Sequence, residues 1–360
     1  MKKMAGNQKI DRLRDLLAST AKSGLLLTLQ KNISWLANGR SFINTASEKS
    51  PASILVTKTR VGLFVNNIEA DRLIEEEFDL EFDYLEVFPW YEPNQFELLV
   101  SKYIAKQEIL LDLHVEEQLL QMRTILMEED REEFQKQGVL TGEAIEQVAF
   151  ELNRGESEYQ LVGRLAKCCL ERELEPIVNL AAVDGRTFKR RHPLPTSNRL
   201  DRYAMLVVCT RKKGKIVSAS RLVHFGEPSD TLKDRHRGVI AVDSRLIAAT
   251  VPGADFQDLY EVMQTAYSDA GYPEEWKYHH QGGLSGYNTR EKLLLPENAE
   301  MIVETGQVFA WNPSISGVKS EDTILVGEKE ATIVTHTGEY PMLEVKAGTK
   351  VVERPDILIR

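Results

Sequence analysis

Apolar positions in the first third of the chain follow two periods. Residues 8–23 set Ile10, Leu13, Leu16 and Leu17 on one helical face. Short apolar runs at 25–29, 54–57, 61–65 and 109–113 have the length and composition of strands. Helical patterns at 70–77 and 96–106 separate them. The alternation predicts a small α/β domain over 1–120, leaving 121–360 for a second domain.

A long charged helix is expected over 128–152. After it, Ser157 stands three residues before Gln160, the spacing of a capping box, and Val162, Leu165, Ala166, Cys169 and Leu170 follow at helical intervals. The pattern returns at Gly253-Ala254-Asp255, where Asp255 is the expected cap and Leu259, Val262, Met263, Ala266 and Tyr267 form the stripe. The second of these helices follows another amphipathic one at 229–250, and both pairs precede strand-rich sequence, which suggests a helix-helix-strands unit used twice. Strands are expected at 205–210, 216–225, 307–311, 322–326 and 331–336. Turns at Lys212-Lys213-Gly214-Lys215 and Thr337-Gly338-Glu339 would close two hairpins. With strands clustered after helices, the second domain reads as α+β with largely antiparallel pairing.

Composition adds exclusions. The 360 residues are 42% hydrophobic and 28% charged, ordinary for a globular protein. The net charge of −10, with both signs mixed along the chain, argues against nucleic acid as the main partner. The basic run Lys189-Arg190-Arg191 reads as a solvated loop. No stretch approaches the ~20 apolar residues that span a bilayer, so no membrane partner is expected. The N-terminus, Met1-Lys2-Lys3-Met4, leads into polar residues rather than a secretion segment. Cys168, Cys169 and Cys209 make no disulfide framework, and a cytoplasmic location is expected.

Four segments then carry a resemblance. Gly317-Val318-Lys319-Ser320-Glu321-Asp322-Thr323-Ile324-Leu325-Val326 resembles the last metal-ligand strand of prolidases, aminopeptidases P and creatinase. His280-Gln281-Gly282-Gly283-Leu284 is similar to their His-Gly-x-Gly-Leu segment. The 307–312 strand with Pro313 matches the one that usually ends in Glu-Pro-Gly. Asn32-Ile33-Ser34-Trp35-Leu36-Ala37-Asn38-Gly39 resembles the Asn-x-x-Tyr-Leu-Thr-Gly of the creatinase-type N-terminal domain. The chain is thus identified with the creatinase and Xaa-Pro aminopeptidase superfamily. The resemblance implies a pita-bread C-terminal domain behind a smaller α/β N-terminal one, and a homodimer.

Peptidases of that superfamily hold two divalent ions with two Asp, one His and two Glu. Carried over by position, the His is His280 and the last Glu is Glu321. The other Glu is Asn312, the second Asp is Ser218, and the first Asp falls at Val207 or Val208 beside Cys209. One carboxylate remains of four, so the resemblance implies no two-metal site. An alternative is a single zinc on Cys209, His280 and Glu321, whose ligand types suit that ion; otherwise Cys209 is a buried strand thiol.

The superfamily also contains creatinase, which hydrolyses a C–N bond without metal, using a His that corresponds to His192 in Arg190-Arg191-His192-Pro193. Imidazole can take and return a proton near neutral pH. This implies a metal-independent hydrolase of a small amide, amidine or guanidino bond. His192 would transfer protons, His280 and Glu321 would bind and polarise the scissile group, and Asn312 would orient it. Arg221 is expected at the pocket rim, where it could instead simply pair with Glu321. Ser218 is a further binding candidate, and Arg40 could hold a substrate carboxylate, although a plain surface role fits it too. His279 and His280, if extended, would point to opposite faces, so that only one enters the cleft. The alternatives are a non-catalytic pita-bread binding protein and a metallopeptidase with an atypical metal site. Convergence of His192, His280, Asn312 and Glu321 on one point would favour the enzyme; a cleft plugged by an arginine would favour the binder.

Overall fold

A computed structural model describes residues 2–360; Met1, the first residue of the polar N-terminal run, lies outside the described residues. The chain divides into two compact units. The first runs to Glu129 and includes 213–215; the second comprises 130–212 and 216–360.

The first unit is a five-stranded sheet in the order β4-β3-β2-β1-β5. Its strands are β1 (Gly24–Leu29), β2 (Lys49–Thr57), β3 (Val61–Asn66), β4 (Tyr84–Phe88) and β5 (Ile109–Leu111). Helices α1 (Lys2–Ala18), α2 (Gln30–Ala37), α3 (Ala70–Arg72), α4 (Gln95–Ser101) and α5 (Glu116–Thr124) complete it. Helix α1 buries Ile10, Leu13 and Leu17 of the stripe expected of it, leaves Leu16 half-buried, and stops at Ala18 rather than 23. Leu26, Leu55, Phe64, Val100 and Ile104 form a core. Beneath β1 the Asp112 carboxylate, fully buried, accepts from the backbone N–H groups of Thr28 and Leu29 and from Asn32.

In the second unit, α6 (Glu128–Glu151) and α7 (Glu158–Leu170) lie against the sheet β18-β8-β7-β6. Its members are β6 (Glu175–Val183), β7 (Tyr203–Lys212), β8 (Lys215–His224) and β18 (Ile357–Ile359). Ile145, Val148, Leu161 and Leu165 from the helices meet Ala204, Leu206, Val208, Ala219 and Val223 from the strands. Each such buried aliphatic side chain larger than alanine contributes roughly 1.5–3 kcal/mol. Next come α8 (Asp230–Ala249), α9 (Phe256–Asp269) and a second sheet, β10-β9-β11-β14-β15. Its strands are β9 (Gly282–Ser285), β10 (Lys292–Leu293), β11 (Val308–Trp311), β14 (Asp322–Val326) and β15 (Ala331–Ile333). Two small ribbons, β12 (Ser314–Ile315) with β13 (Val318–Lys319) and β16 (Met342–Ala347) with β17 (Lys350–Pro355), complete it.

The two halves of this unit repeat each other at the helix caps. Ser157 and Gln160 form the reciprocal capping box, and Asp255 accepts from the Asp258 N–H. Gly155 and Gly253 precede the caps with φ of 87° and 89°. Their N–H groups reach Leu200 O at 2.7 Å and Val303 O at 2.9 Å, and each cap pairs with a returning segment, Ser157 with Arg199 and Asp255 with Ile302. One expectation fails: Thr337-Gly338-Glu339 closes no hairpin. Strand β16 pairs with β17 across Gly348-Thr349, a tighter connection than the one back to β15.

Candidate active site

The faces of β8 decide which side chains can meet. Ala219 and Val223 point into the helix-packed core, so Arg221, with the same parity, does too. Its guanidinium is fully buried against Glu146 on α6 (2.8 Å) and Asp322 (3.0 Å). Arg221, expected at the rim of the pocket, is therefore a structural ion-pair partner on the opposite face. Ser218 and Ser220 face the other way. The Ser218 N–H donates to Thr323 Oγ1 (2.8 Å) and the Ser220 N–H to Glu321 O (2.9 Å), which joins β8 to the second sheet. Ser218 Oγ donates to Cys209 Sγ at 3.1 Å. Burial pushes the Cys209 thiol up to about 11, so it stays protonated at neutral pH.

Glu321 stands at the start of β14. Continuing the register of Trp311 opposite Asp322 by one residue sets Asn312 opposite Glu321. The Glu321 carboxylate accepts from Ser220 Oγ at 2.6 Å. It also pairs with Arg290 Nη2 at 3.3 Å and Lys319 Nζ at 3.5 Å. Burial alone would raise its pKa; the two cations reverse that and hold it below the ordinary glutamate value. Arg290 Nη1 reaches Thr289 O and, at 3.5 Å, Ser218 Oγ. Asn312 is buried; its N–H donates to Gln281 O, and its Oδ1 has no hydrogen-bond partner.

The histidines converge further than expected. His192 Nε2 and His279 Nε2 are 3.1 Å apart. The rings of His279 and His280 stack at 4.6 Å, and His192 and His280 lie 5.7 Å apart, centroid to centroid. The opposite-face expectation for His279 and His280 fails because β9 begins only at Gly282, so the pair is not in a paired strand and strict alternation does not apply. Burial lowers all three imidazole pKa values, and Lys319 lowers them further, joined at His280 and His192 by Arg290. His280 falls to about 4. At neutral pH all three rings are neutral.

Of the sequence candidates, His192, His280, Glu321 and Ser218 thus belong to one cluster of side chains in the second unit, with Asn312 beside Glu321. Arg40 lies in the first unit, where Glu77 holds its guanidinium at 2.6 Å. Three further residues of the cleft, Arg290, Lys319 and Ser220, were missed as functional. The spacing Lys319-Ser320-Glu321, which sends both charged side chains to one face of an extended segment, was a readable signal. Arg290 carried none, since it reaches Glu321 only through the fold of the 286–291 turn.

A helix-backed α+β unit with this site at the meeting of two sheets, in a chain that also carries a separate α/β unit, defines a pita-bread peptidase-type protein. The chain belongs to metallopeptidase family M24, whose profile matches residues 132–328. An uncharacterized peptidase of Staphylococcus aureus is 22% identical over 350 residues, 91% of this chain and 99% of the relative. The prolidase from Pyrococcus horikoshii superposes with a TM-score of 0.75 at 18% identity, over 92% of this chain and 98% of that one. The X-Pro aminopeptidase from Thermotoga maritima gives 0.76 at 15% identity, over 98% and 99%. The pita-bread fold holds across nearly the full chain.

Members of this family usually bind divalent metals. The residues here do not fit a metal pair. Two ions bring four positive charges and need several carboxylates; the cleft offers Glu321, already held by a guanidinium and an ammonium. Nor do Cys209, His280 and Glu321 make the single-zinc alternative. Among the described residues, the group of His, Cys, Asp or Glu whose ligand atoms come together is His192, His279 and His280, within 4.8 Å of one another.

Proposed function

We propose that this M24 protein works without a metal pair, as a hydrolase of an amide C–N bond in a small molecule or short peptide. The observation that carries the reading is the Arg290–Glu321–Lys319 cluster, which supplies fixed positive charge from side chains in the cleft. His192 is exposed and neutral at pH 7. With its Nε2–H donated to His279, its Nδ1 is an acceptor able to take a proton from water. Water oxygen then bonds to the carbonyl carbon, and the developing oxyanion is stabilised by the guanidinium and ammonium. The C–N bond breaks as His192 returns the proton to the leaving nitrogen. Glu321 orients the two cations rather than the substrate. A guanidino or amidine substrate loses its support, because the Arg290 guanidinium already occupies the carboxylate that would hold it.

The test is turnover of a short-peptide and N-acyl panel in excess EDTA, with elemental analysis of the untagged protein. Metal-free protein with EDTA-resistant turnover that is lost in His192→Ala bears the proposal out. About two equivalents of manganese, cobalt or zinc with EDTA-sensitive turnover would overturn it. One observation favours a second reading, binding without turnover: an arginine does enter the cleft. Ligand binding by a protein inert on the whole panel would select it. A homodimer in the cytoplasm is part of the proposal, and light scattering checks the dimer.

A further inference from the structure

We infer that the free edge of the first unit's sheet docks a basic, extended segment of a partner protein, which adds to β4 as a further strand, a role separate from the chemistry of the second unit. Strand β4 ends the sheet and pairs, in parallel, with β3 alone. The Asn67 N–H donates to Phe88 O at 2.8 Å, and the register sets Gly62 opposite Tyr84 and Asn66 opposite Phe88. By alternation along the strand, Tyr84, Glu86 and Phe88 turn their backbone groups to β3, and Leu85 and Val87 turn theirs to the open side. Among the described residues nothing bonds to those outward N–H and C=O groups.

The side chains are open at the same place. Leu63 and Val65 of β3 are fully buried, stand opposite Leu85 and Val87, and share their face of the sheet. That apolar face runs out to β4, where Leu85 is 44% and Val87 43% exposed. Trp90 and Tyr91, just past the strand, are exposed too, and the Trp90 N–H is fixed to Asn67 Oδ1 at 2.9 Å. Edge strands are ordinarily guarded against pairing, most often by lysine. Strand β4 has no lysine, and exposed aromatic residues beside an apolar strip have the composition of an interface.

Charge selects the partner. From 73 to 101 the chain has nine acidic residues and no lysine or arginine. Arg72, Lys102 and Lys106 pair with Glu77, Glu86 and Glu97. Asp83 and Glu92, exposed on either side of β4, form no ion pair among the described residues. A second copy of the strand is disfavoured, because the antiparallel pairing that matches Leu85 with Val87 sets Glu86 against Glu86. A strand that alternates apolar and basic residues fits instead. Its apolar side chains would lie beside Leu85 and Val87, with a lysine or arginine opposite Glu86.

The experiment uses the full, unaltered chain and the acetylated, amidated hexapeptide Val-Lys-Val-Lys-Val-Lys, with Val-Glu-Val-Glu-Val-Glu as its charge-reversed control. Backbone amide hydrogen exchange is read residue by residue. In the protein alone the Leu85 and Val87 amides should exchange fast, while those of Glu86 and Phe88, bonded to β3, are protected. Saturating lysine peptide should slow Leu85 and Val87 at least about tenfold. Its affinity should exceed that of the glutamate peptide at least about tenfold and fall with added salt. Val87→Pro removes an outward N–H and no bond to β3, and should abolish binding without unfolding the protein. Binding of the lysine peptide that leaves both amides fast overturns the inference, as does equal affinity for the glutamate peptide or no binding at all. So does protection of Leu85 and Val87 in the peptide-free protein that grows with protein concentration, since a second copy then occupies the edge.

Discussion

Glu321 and Asp322 adjoin in sequence, point to opposite faces of one strand, and are each held by two cations. Behind the strand, Asp322 accepts from Arg221 (3.0 Å), Arg354 (2.6 Å) and Thr335 (2.6 Å), and all three ionic side chains are fully buried. Burial would raise the Asp322 pKa, but the two guanidiniums bring it down to about 2. In front, Glu321 meets its cations at 3.3 and 3.5 Å, the Arg290 Nε–H is unspent, and the neighbouring His192 is open to solvent. A short, dry network fixes the fold. A looser one with spare donors and an opening keeps the capacity to receive a ligand.

The largest effect that separates the faces is Arg221→Met. It leaves Glu146 and Asp322 buried without their shared cation and should lower unfolding free energy by roughly 3–5 kcal/mol in urea titration at pH 7. A loss below about 1 kcal/mol would remove the contrast. Arg290→Gln should cost less, about 1–3 kcal/mol, since Glu321 keeps Lys319 and Ser220. If it unfolds the protein as strongly as Arg221→Met, the front cluster is structural.

Acid stability sharpens the same contrast. The folded pKa values of His280 and His336 are depressed to about 4, by burial first, while the unfolded rings titrate at 6.5. Between pH 6.5 and 4 the unfolded chain binds more protons, so stability rises with pH and the melting temperature should drop on acidification through this window. His336 adjoins Asp322 electrostatically and His280 adjoins Glu321, so His336→Gln and His280→Gln should each remove part of the slope. A flat profile would show that the rings are protonated in the fold. The smallest effect expected is that of Ser218→Ala, which deletes the hydroxyl bonded to Cys209. It should cost on the order of 1 kcal/mol and leave turnover unchanged; lost turnover would make Ser218 a nucleophile.

Periodicity and caps were legible without coordinates. Ser157 and Asp255 announce their helices because capping is a contact within one turn of chain. The 322–326 strand follows from apolar continuity, and the loss of metal carboxylates at Ser218 and Asn312 from the resemblance. The reach of Arg221 was misjudged because its face depends on which side of β8 the helices cover. The stacking of His279 on His280 depends on where β9 starts.

By itself, then, the sequence determined the elements and the α+β class, which depend on local pattern, and, through the resemblance, the reduction of the four metal carboxylates to one. Only the tertiary structure decided that Arg290, 31 residues before Glu321, would neutralise that acid, and that three imidazoles would gather beside it. A charge acts through space, and a linear pattern carries no information about separations set by packing and by turns.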